Sequence, residues 1–143
     1  KNVFLSVMGR ILALDFGRVR TGIAVTDELQ LIASGLTTVS TCDLLAFLKT
    51  YTNTETVDSF VVGLPKQMNN EPSESEILIV PFITKMRKVF PQIAIIRVDE
   101  RFTSKMAVQS MIDTGLKKKH RRNKALVDEI SATIILQTFL NTR

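Results

Sequence analysis

Apolar and polar positions follow one period at the start of this chain and another later, and the change of period outlines the fold. Arg10 to Asp15 (RILALD) is an apolar run that ends in a carboxylate. Phe16-Gly17-Arg18-Val19-Arg20 has the make-up of a turn, and Thr21 to Thr26 (TGIAVT) resumes a strand-like run, so the two segments predict a hairpin. A second turn at Asp27-Glu28-Leu29-Gln30 leads into Leu31 to Val39. Three consecutive strands in an antiparallel meander are therefore expected.

The period then becomes helical. Ser40-Thr41-Cys42-Asp43 fits a helix-opening capping box, and Leu44, Phe47, Leu48 and Tyr51 recur at the spacing of one helix face. Val57 to Gly63 (VDSFVVG) reads as a short buried strand that delivers the chain to a Gly63-Leu64-Pro65 loop. A helix is expected from Pro72 to about Phe90, with Pro81 in its middle either kinking it or splitting it in two. Ile93 to Val98 (IAIIRV) is another buried strand, ending at Asp99-Glu100-Arg101. Thr103 can cap a helix running to Gly115, and Ala125 to Leu140 is a final helix. The order β-β-β-α-β-α-β-α-α predicts an α/β fold with a mixed five-stranded sheet and helices packed on its faces. There is no internal repeat, low-complexity segment or linker.

A length of 143 residues fits one domain with a sizeable core, and two full domains do not fit. Apolar residues at 45% and charged residues at 23% are near globular averages, and no run approaches a membrane span. The single cysteine, Cys42, excludes an intramolecular disulfide and a multi-cysteine zinc site, and it is read as a small packed residue. With one histidine, His120, no histidine-rich metal cage is available. Met8-Gly9-Arg10 opens the first strand, so Met8 is read as the natural start with the first seven residues upstream of it, and the domain is taken as 9–143 with 1–8 outside it as an N-terminal extension.

Charge changes the picture more than composition does. Lys and Arg number 19 against 14 Asp and Glu, but Lys117, Lys118, Lys119, Arg121, Arg122 and Lys124 fall within one eight-residue stretch. Without that stretch the chain is close to neutral. A local cationic block is either a solvated loop or a seat for a polyanion, and here it immediately precedes the last helix. An aromatic content of 6% with no Trp argues against a stacking platform of the single-strand-binding type.

Three carboxylates interrupt apolar elements where the fold could bring them together: Asp15 at the end of the first strand, Glu100 at the end of the last, and Asp128 in the final helix. Hard oxygen ligands without nearby thiol or imidazole suit Mg²⁺ or Mn²⁺, which can activate water and stabilise the leaving oxygen of a phosphodiester. Each has a plainer reading. A strand-end Asp near Gly also forms turns. Asp99 and Glu100 point to opposite faces of an extended chain, so one of the two joins a shared site. Asp128 could belong to a solvated helix face, although it shares a stripe with Ala132, Ile135 and Phe139.

Four segments in order, LALDFGRVRTGIAVTD (Leu12 to Asp27), VVGLPKQMN (Val61 to Asn69), VDERFTSKMA (Val98 to Ala107) and KALVDEISATIILQTFL (Lys124 to Leu140), resemble the YqgF/RuvX family of Holliday-junction-resolvase-like bacterial nucleases. The resemblance implies a ribonuclease H-like fold, a cytoplasmic protein, and maturation of the 5′ end of pre-16S ribosomal RNA, with junction resolution as an older suggestion. It marks Asp15, Glu100 and Asp128 as a metal-binding catalytic set. Arg20, Thr21, Arg101 and Thr103 match polar positions beside that set and become candidates for positioning substrate, with the basic stretch as a backbone-binding surface. Ser131 stands one turn beyond Asp128, where related resolvases carry a further acid, which implies weaker metal binding or fewer ions.

The implied partner is nucleic acid, structured RNA favoured over a four-way DNA junction, with no membrane role and a monomer or weak homodimer. The alternatives are a Holliday junction resolvase and a catalytically inactive RNA-binding ribosome-assembly factor. A sugar-kinase or actin-like ATPase reading of LDFGRVRTGIAV would require two lobes, and this length supplies one.

Overall fold

The polar turns near the start close a meander of three strands: β1 (Arg10–Phe16), β2 (Arg20–Thr26) and β3 (Ala33–Ser40). Both pairings are antiparallel, and Asp15 lies opposite Gly22. β3 begins two residues later than the apolar pattern suggests, because the Asp27 carboxylate accepts from the backbone N–H groups of Leu29, Leu31 and Ile32 at 3.1, 2.8 and 2.8 Å. Those bonds extend the turn through Gln30, whose φ is 59°.

The chain then adds β4 (Val57–Leu64) parallel to β1 and β5 (Ala94–Asp99) parallel to β4. The strand order is β3-β2-β1-β4-β5, the mixed five-stranded sheet expected. Among the described residues three α-helices of more than one turn accompany it: α1 (Leu44–Thr54), α2 (Glu76–Val89) and α3 (Lys124–Thr142). The computed structural model describes residues 9–65, 74–100, 109 and 123–143. The expected helix from Thr103 to Gly115, the helix start at Pro72, and the candidates Arg101, Thr103, Lys117, Lys118, Lys119, Arg121 and Arg122 lie outside the described residues, as does His120. Among the described residues no helix is long and apolar enough to cross a membrane.

Several local expectations are corrected. Ser40 makes no capping bond, and Thr41–Asp43 form a short 3₁₀ turn before α1. The Thr41 N–H is already taken by the Val19 carbonyl at 2.9 Å, and its hydroxyl donates to the Gly17 carbonyl at 2.6 Å, so this corner is tied to the hairpin rather than to a capping box. Cys42 on that corner is exposed, not packed. Of the predicted apolar stripe, Leu44 and Leu48 are buried while Phe47 and Tyr51 stack on each other at the margin. Pro81 does not split α2, which runs unbroken from Glu76 to Val89. Pro81 lies on the exposed face, and the carbonyl it deprives of a donor belongs to solvent-facing Ile77, so the lost bond falls on the side of α2 that is open to solvent.

The two faces of the sheet are packed differently. Leu12, Leu14, Ile23, Phe60 and Val62 meet α1 and α2. The alternate positions, Ile11, Ala13, Ala24 and Val61, meet Ala132, Ile135 and Leu136 of α3. Asp15 continues the second series.

Candidate acidic site

β1, β4 and β5 run parallel, so their C-terminal ends share one edge of the sheet. Asp15 is the sixth residue of β1, on the α3 face, and Glu100 follows β5 with its N–H bonded to the Leu64 carbonyl at 3.2 Å. β4 separates them. Strands spaced about 4.8 Å apart put β1 and β5 about 10 Å from each other, too far for two carboxylates unless the intervening position is empty. That position is Gly63, where an added Cβ would collide with the Glu100 carboxylate. Across the vacant surface of Gly63 the Glu100 carboxyl donates a hydrogen bond to the Asp15 carboxylate.

A second glycine sets the distance to α3. Gly22 lies opposite Asp15, and a Cβ there would collide with the backbone carbonyl of Asp128. The helix thus rests on bare strand backbone, in the second turn after its cap, where the Asn123 side chain accepts from the Leu126 N–H at 3.2 Å. Asp128 is brought over Asp15 by this contact. Its Oδ2 accepts from Arg20 Nε at 2.7 Å, a partly exposed ion pair.

The electrostatics reflect the crowding. Burial, then repulsion from Asp128, pushes the Asp15 carboxyl up to about 7, with the Glu100 hydrogen bond opposing the rise. Burial, then the charge of Asp15, pushes Glu100 up to about 9. The pair therefore holds a proton near neutral pH, the behaviour of two carboxylates that cannot both ionise in a confined space. Glu100 Oε2 is buried with no hydrogen-bond partner among the described residues. Ser131, one turn beyond Asp128, is also buried with an unpartnered hydroxyl.

Oxygen-only donors, a buried carboxylate oxygen without a partner, and a carboxylate pair that retains a proton for want of positive charge fit a hard divalent cation. Among the described residues no three acidic, His or Cys side chains stand as a ready-made cage, since Asp128 is turned toward Arg20. The fit is thus to a core of Asp15 and Glu100 with Asp128 beside it. Asp99, the alternative to Glu100, ends β5 on an exposed position.

The other sequence candidates separate. Arg20 contacts Asp128 directly. Thr21 does not belong beside the acids: it is fully buried on the opposite face, where its hydroxyl meets that of Thr41 at 2.9 Å and locks the hairpin corner. The alternation of strand faces that directs Asp15 toward α3 directs Thr21 away from it. Lys124 is exposed at the first position of α3. Sequence reasoning missed Gly22 and Gly63, although a glycine inside an apolar strand signals close backbone approach. It also missed Arg97, the one cation inside IAIIRV. Its guanidinium grips Glu76 of α2 through two bonds of 2.9 and 2.7 Å and donates to the carbonyls of Val62 at 3.2 Å and Gly63 at 2.9 Å, fixing the strand end on which Glu100 leans.

A family model described as RuvX: Holliday junction resolvase matches residues 9–142. Curated relatives named "Putative pre-16S rRNA nuclease" include that of Flavobacterium psychrophilum, 61% identical over 95% of this chain and 99% of that protein. The relative of the same name from Christiangramia forsetii is 65% identical over 93% of this chain and 98% of that protein, and that from Bacteroides thetaiotaomicron 59% identical over 95% and 99%. A solved structure of Archaeoglobus fulgidus Pelota aligns with TM-score 0.45 and 12% identity over 98% of this chain and 37% of that chain.

Proposed function

The chain belongs to the RuvX Holliday junction resolvase family, ribonuclease H-like nucleases that require a divalent metal and act on nucleic acid, and from that premise we propose that it processes the 5′ end of pre-16S ribosomal RNA in the cytoplasm. The observation that carries the reading is the Glu100–Asp15 carboxyl pair bridging bare Gly63, with a buried unpartnered oxygen and Asp128 above it. Asp15 and Glu100 would hold Mg²⁺ or Mn²⁺, with Asp128 completing the set.

When bound, the cation supplies an activated water and neutralises charge on the phosphodiester and its leaving oxygen. The chain's own residues prepare this. Asp15 and Glu100 hold a shared proton that a bound cation would displace, so binding would be pH-dependent. Arg20 orients the Asp128 carboxylate through Nε and leaves the outer side of its guanidinium for a phosphate oxygen. Arg97 holds the end of β4, so that Gly63 keeps the space between the two acids open. The cations from Lys117 to Lys124, with Arg101 and Thr103, are assigned to the substrate backbone, binding it by shape and charge rather than by base identity.

An end-labelled precursor carrying the ribosomal RNA 5′ leader, incubated with Mg²⁺ or Mn²⁺, tests the reading. A defined cut by the protein that is lost in Asp15→Asn supports it. No cut by either, with salt-dependent binding retained, would leave an RNA-binding assembly factor. A second reading, junction resolution, is favoured by the family description. It requires two active sites across a two-fold axis, so symmetric nicking of a four-way DNA junction by a dimer, without cleavage of the leader, would select it.

A further inference from the structure

The sheet edge that carries Asp15 has a different surface on its other face. Phe16 follows Asp15 in β1 and therefore turns toward α2, where its ring meets Phe82 with centroids 5.2 Å apart and planes inclined by 40°. Both rings are only partly buried. Over them lies a hollow of about 260 Å³, walled by Arg18, Leu78, Pro81 and Lys85. A second hollow of about 450 Å³ shares Arg18 and Leu78 with it and reaches Ile77 and Glu74. Ile77 is 74% exposed and Leu78 41%, an unusual outlay of apolar surface for the first turns of a helix. Neither Arg18 nor Lys85 makes an ion pair among the described residues.

We propose that this groove seats one unpaired nucleotide flanking the scissile phosphodiester, with its base on the Phe16–Phe82 floor and its phosphate between Arg18 and Lys85. The proposal rests on the nuclease reading and adds a substrate feature to it: a junction between paired and unpaired nucleotides. An aromatic and aliphatic floor with two cations on its rim matches a ligand that is flat and apolar at one end and anionic at the other. Glu74 lines the second hollow and not the first, so the negative charge lies apart from Lys85 and the aromatic floor. Arg18 lies three residues beyond Asp15 in the same hairpin, which puts the groove at the sheet edge that carries the acids, on the opposite face. Low aromatic content excludes an extended stacking platform, but one base needs one ring pair. Stacking tolerates any base, in keeping with a site that does not read sequence.

The test is binding without cleavage, measured by fluorescence anisotropy in metal-free buffer. The probes are a labelled RNA duplex with blunt ends, the same duplex with a short single-stranded 5′ extension, and the same extension made of abasic nucleotides. The wild-type protein should bind the extended duplex about tenfold more tightly than the blunt one, and the abasic extension should lose most of that gain. Phe82→Leu, which keeps apolar volume and removes the ring, should bind blunt duplex normally and lose the preference for bases. Arg18→Gln with Lys85→Gln, both on exposed positions where folding is not at stake, should weaken binding of the extended duplex, flatten its salt dependence, and keep the difference between base and abasic extensions.

Equal binding of blunt and extended duplex by the wild-type protein would overturn the proposal, as would equal binding of natural and abasic extensions. Loss of self-association in Phe82→Leu, with the nucleotide preference intact, would assign the groove to a second copy of the chain instead. Because the readout is binding, failure of the nuclease reading is seen separately: a preference for the extension with no metal-dependent cut removes catalysis and leaves the subsite.

Discussion

The face of the sheet under α1 and α2 is filled with Leu12, Leu14, Ile23, Phe60 and Val62, whereas the face under α3 carries Ile11 at its far end and then Ala13, Gly22, Ala24, Val61 and Gly63. Large side chains on the first face hold the helices off the strands and provide most of the apolar burial. Small ones on the second let α3 descend until its backbone meets Gly22. The first face is therefore built for stability and the second for proximity. On the second face Asp15, Glu100 and Asp128 gather, Glu100 Oε2 and Ser131 Oγ are buried with no partner among the described residues, and carboxyl groups retain protons they would lose in water. The lesson is that an acidic site inside a fold needs a surface stripped of side chains, and the opposite surface has to supply the missing stability.

The largest expected effect comes from removing the charge on the small face. Asp15→Asn should lower the metal-dependent cleavage rate by about 10³-fold or more, as measured by single-turnover assay. The same variant should melt at a higher temperature than the wild type in metal-free buffer at pH 8, because it relieves a buried repulsion. A drop in stability together with unchanged cleavage would break the division of labour between the faces.

Next is the large face, where Phe60→Ala should cost about 3–5 kcal/mol in urea unfolding. Cleavage by the fraction that remains folded should be nearly unchanged, since Phe60 packs in the core cluster and not against the acids. Gly22→Ala reverses this pattern. Overpacking should cost about 1–3 kcal/mol, and the displacement of Asp128 should reduce cleavage at least as much as the loss of Arg20 does in Arg20→Gln. A variant that cleaves normally would show that the contact between α3 and β2 does not set the site.

The pH dependence gives a separate test of the small face. Asp15 and Glu100 have folded values above their unfolded ones, so the folded state binds more protons than the unfolded state above about pH 4. Their contribution to stability is fully present below that pH and is lost as the pH rises toward about 7 for Asp15 and about 9 for Glu100. Each excess proton corresponds to a decline of about 1.4 kcal/mol per pH unit over its range. Thermal melts from pH 5 to pH 8 should show this decline without metal, and saturating Mg²⁺ or Mn²⁺ should remove it. Melts that rise with pH would contradict the burial of the pair.

Much of this was legible in the sequence, and for reasons that differ from residue to residue. The meander, the two parallel strands and the last helix follow from periodicity and turn chemistry, which are local. Asp15, Glu100 and Asp128 stood out as carboxylates breaking apolar runs. What failed was also local in appearance but decided elsewhere. The Ser40–Asp43 sequence has the letters of a capping box, yet its backbone is claimed by Val19, far away in sequence. Pro81 looked disruptive only because the side of α2 it would occupy was unknown. Thr21 and Arg20 are adjacent letters, and the pleat sends one to the hairpin corner and the other to Asp128.

The sequence by itself determined the strands and helices of the described residues and which carboxylates are available, because these depend on neighbours within a few residues, and the order of those elements pointed to a mixed sheet. Only the tertiary structure decided that Glu100 reaches Asp15 over Gly63, that Gly22 admits α3, and that Phe16 faces a groove while Asp15 faces the acids. Those outcomes depend on strand register and on the absence of side chains at the contacts, and an absent side chain acquires meaning only when its neighbour across the sheet is known.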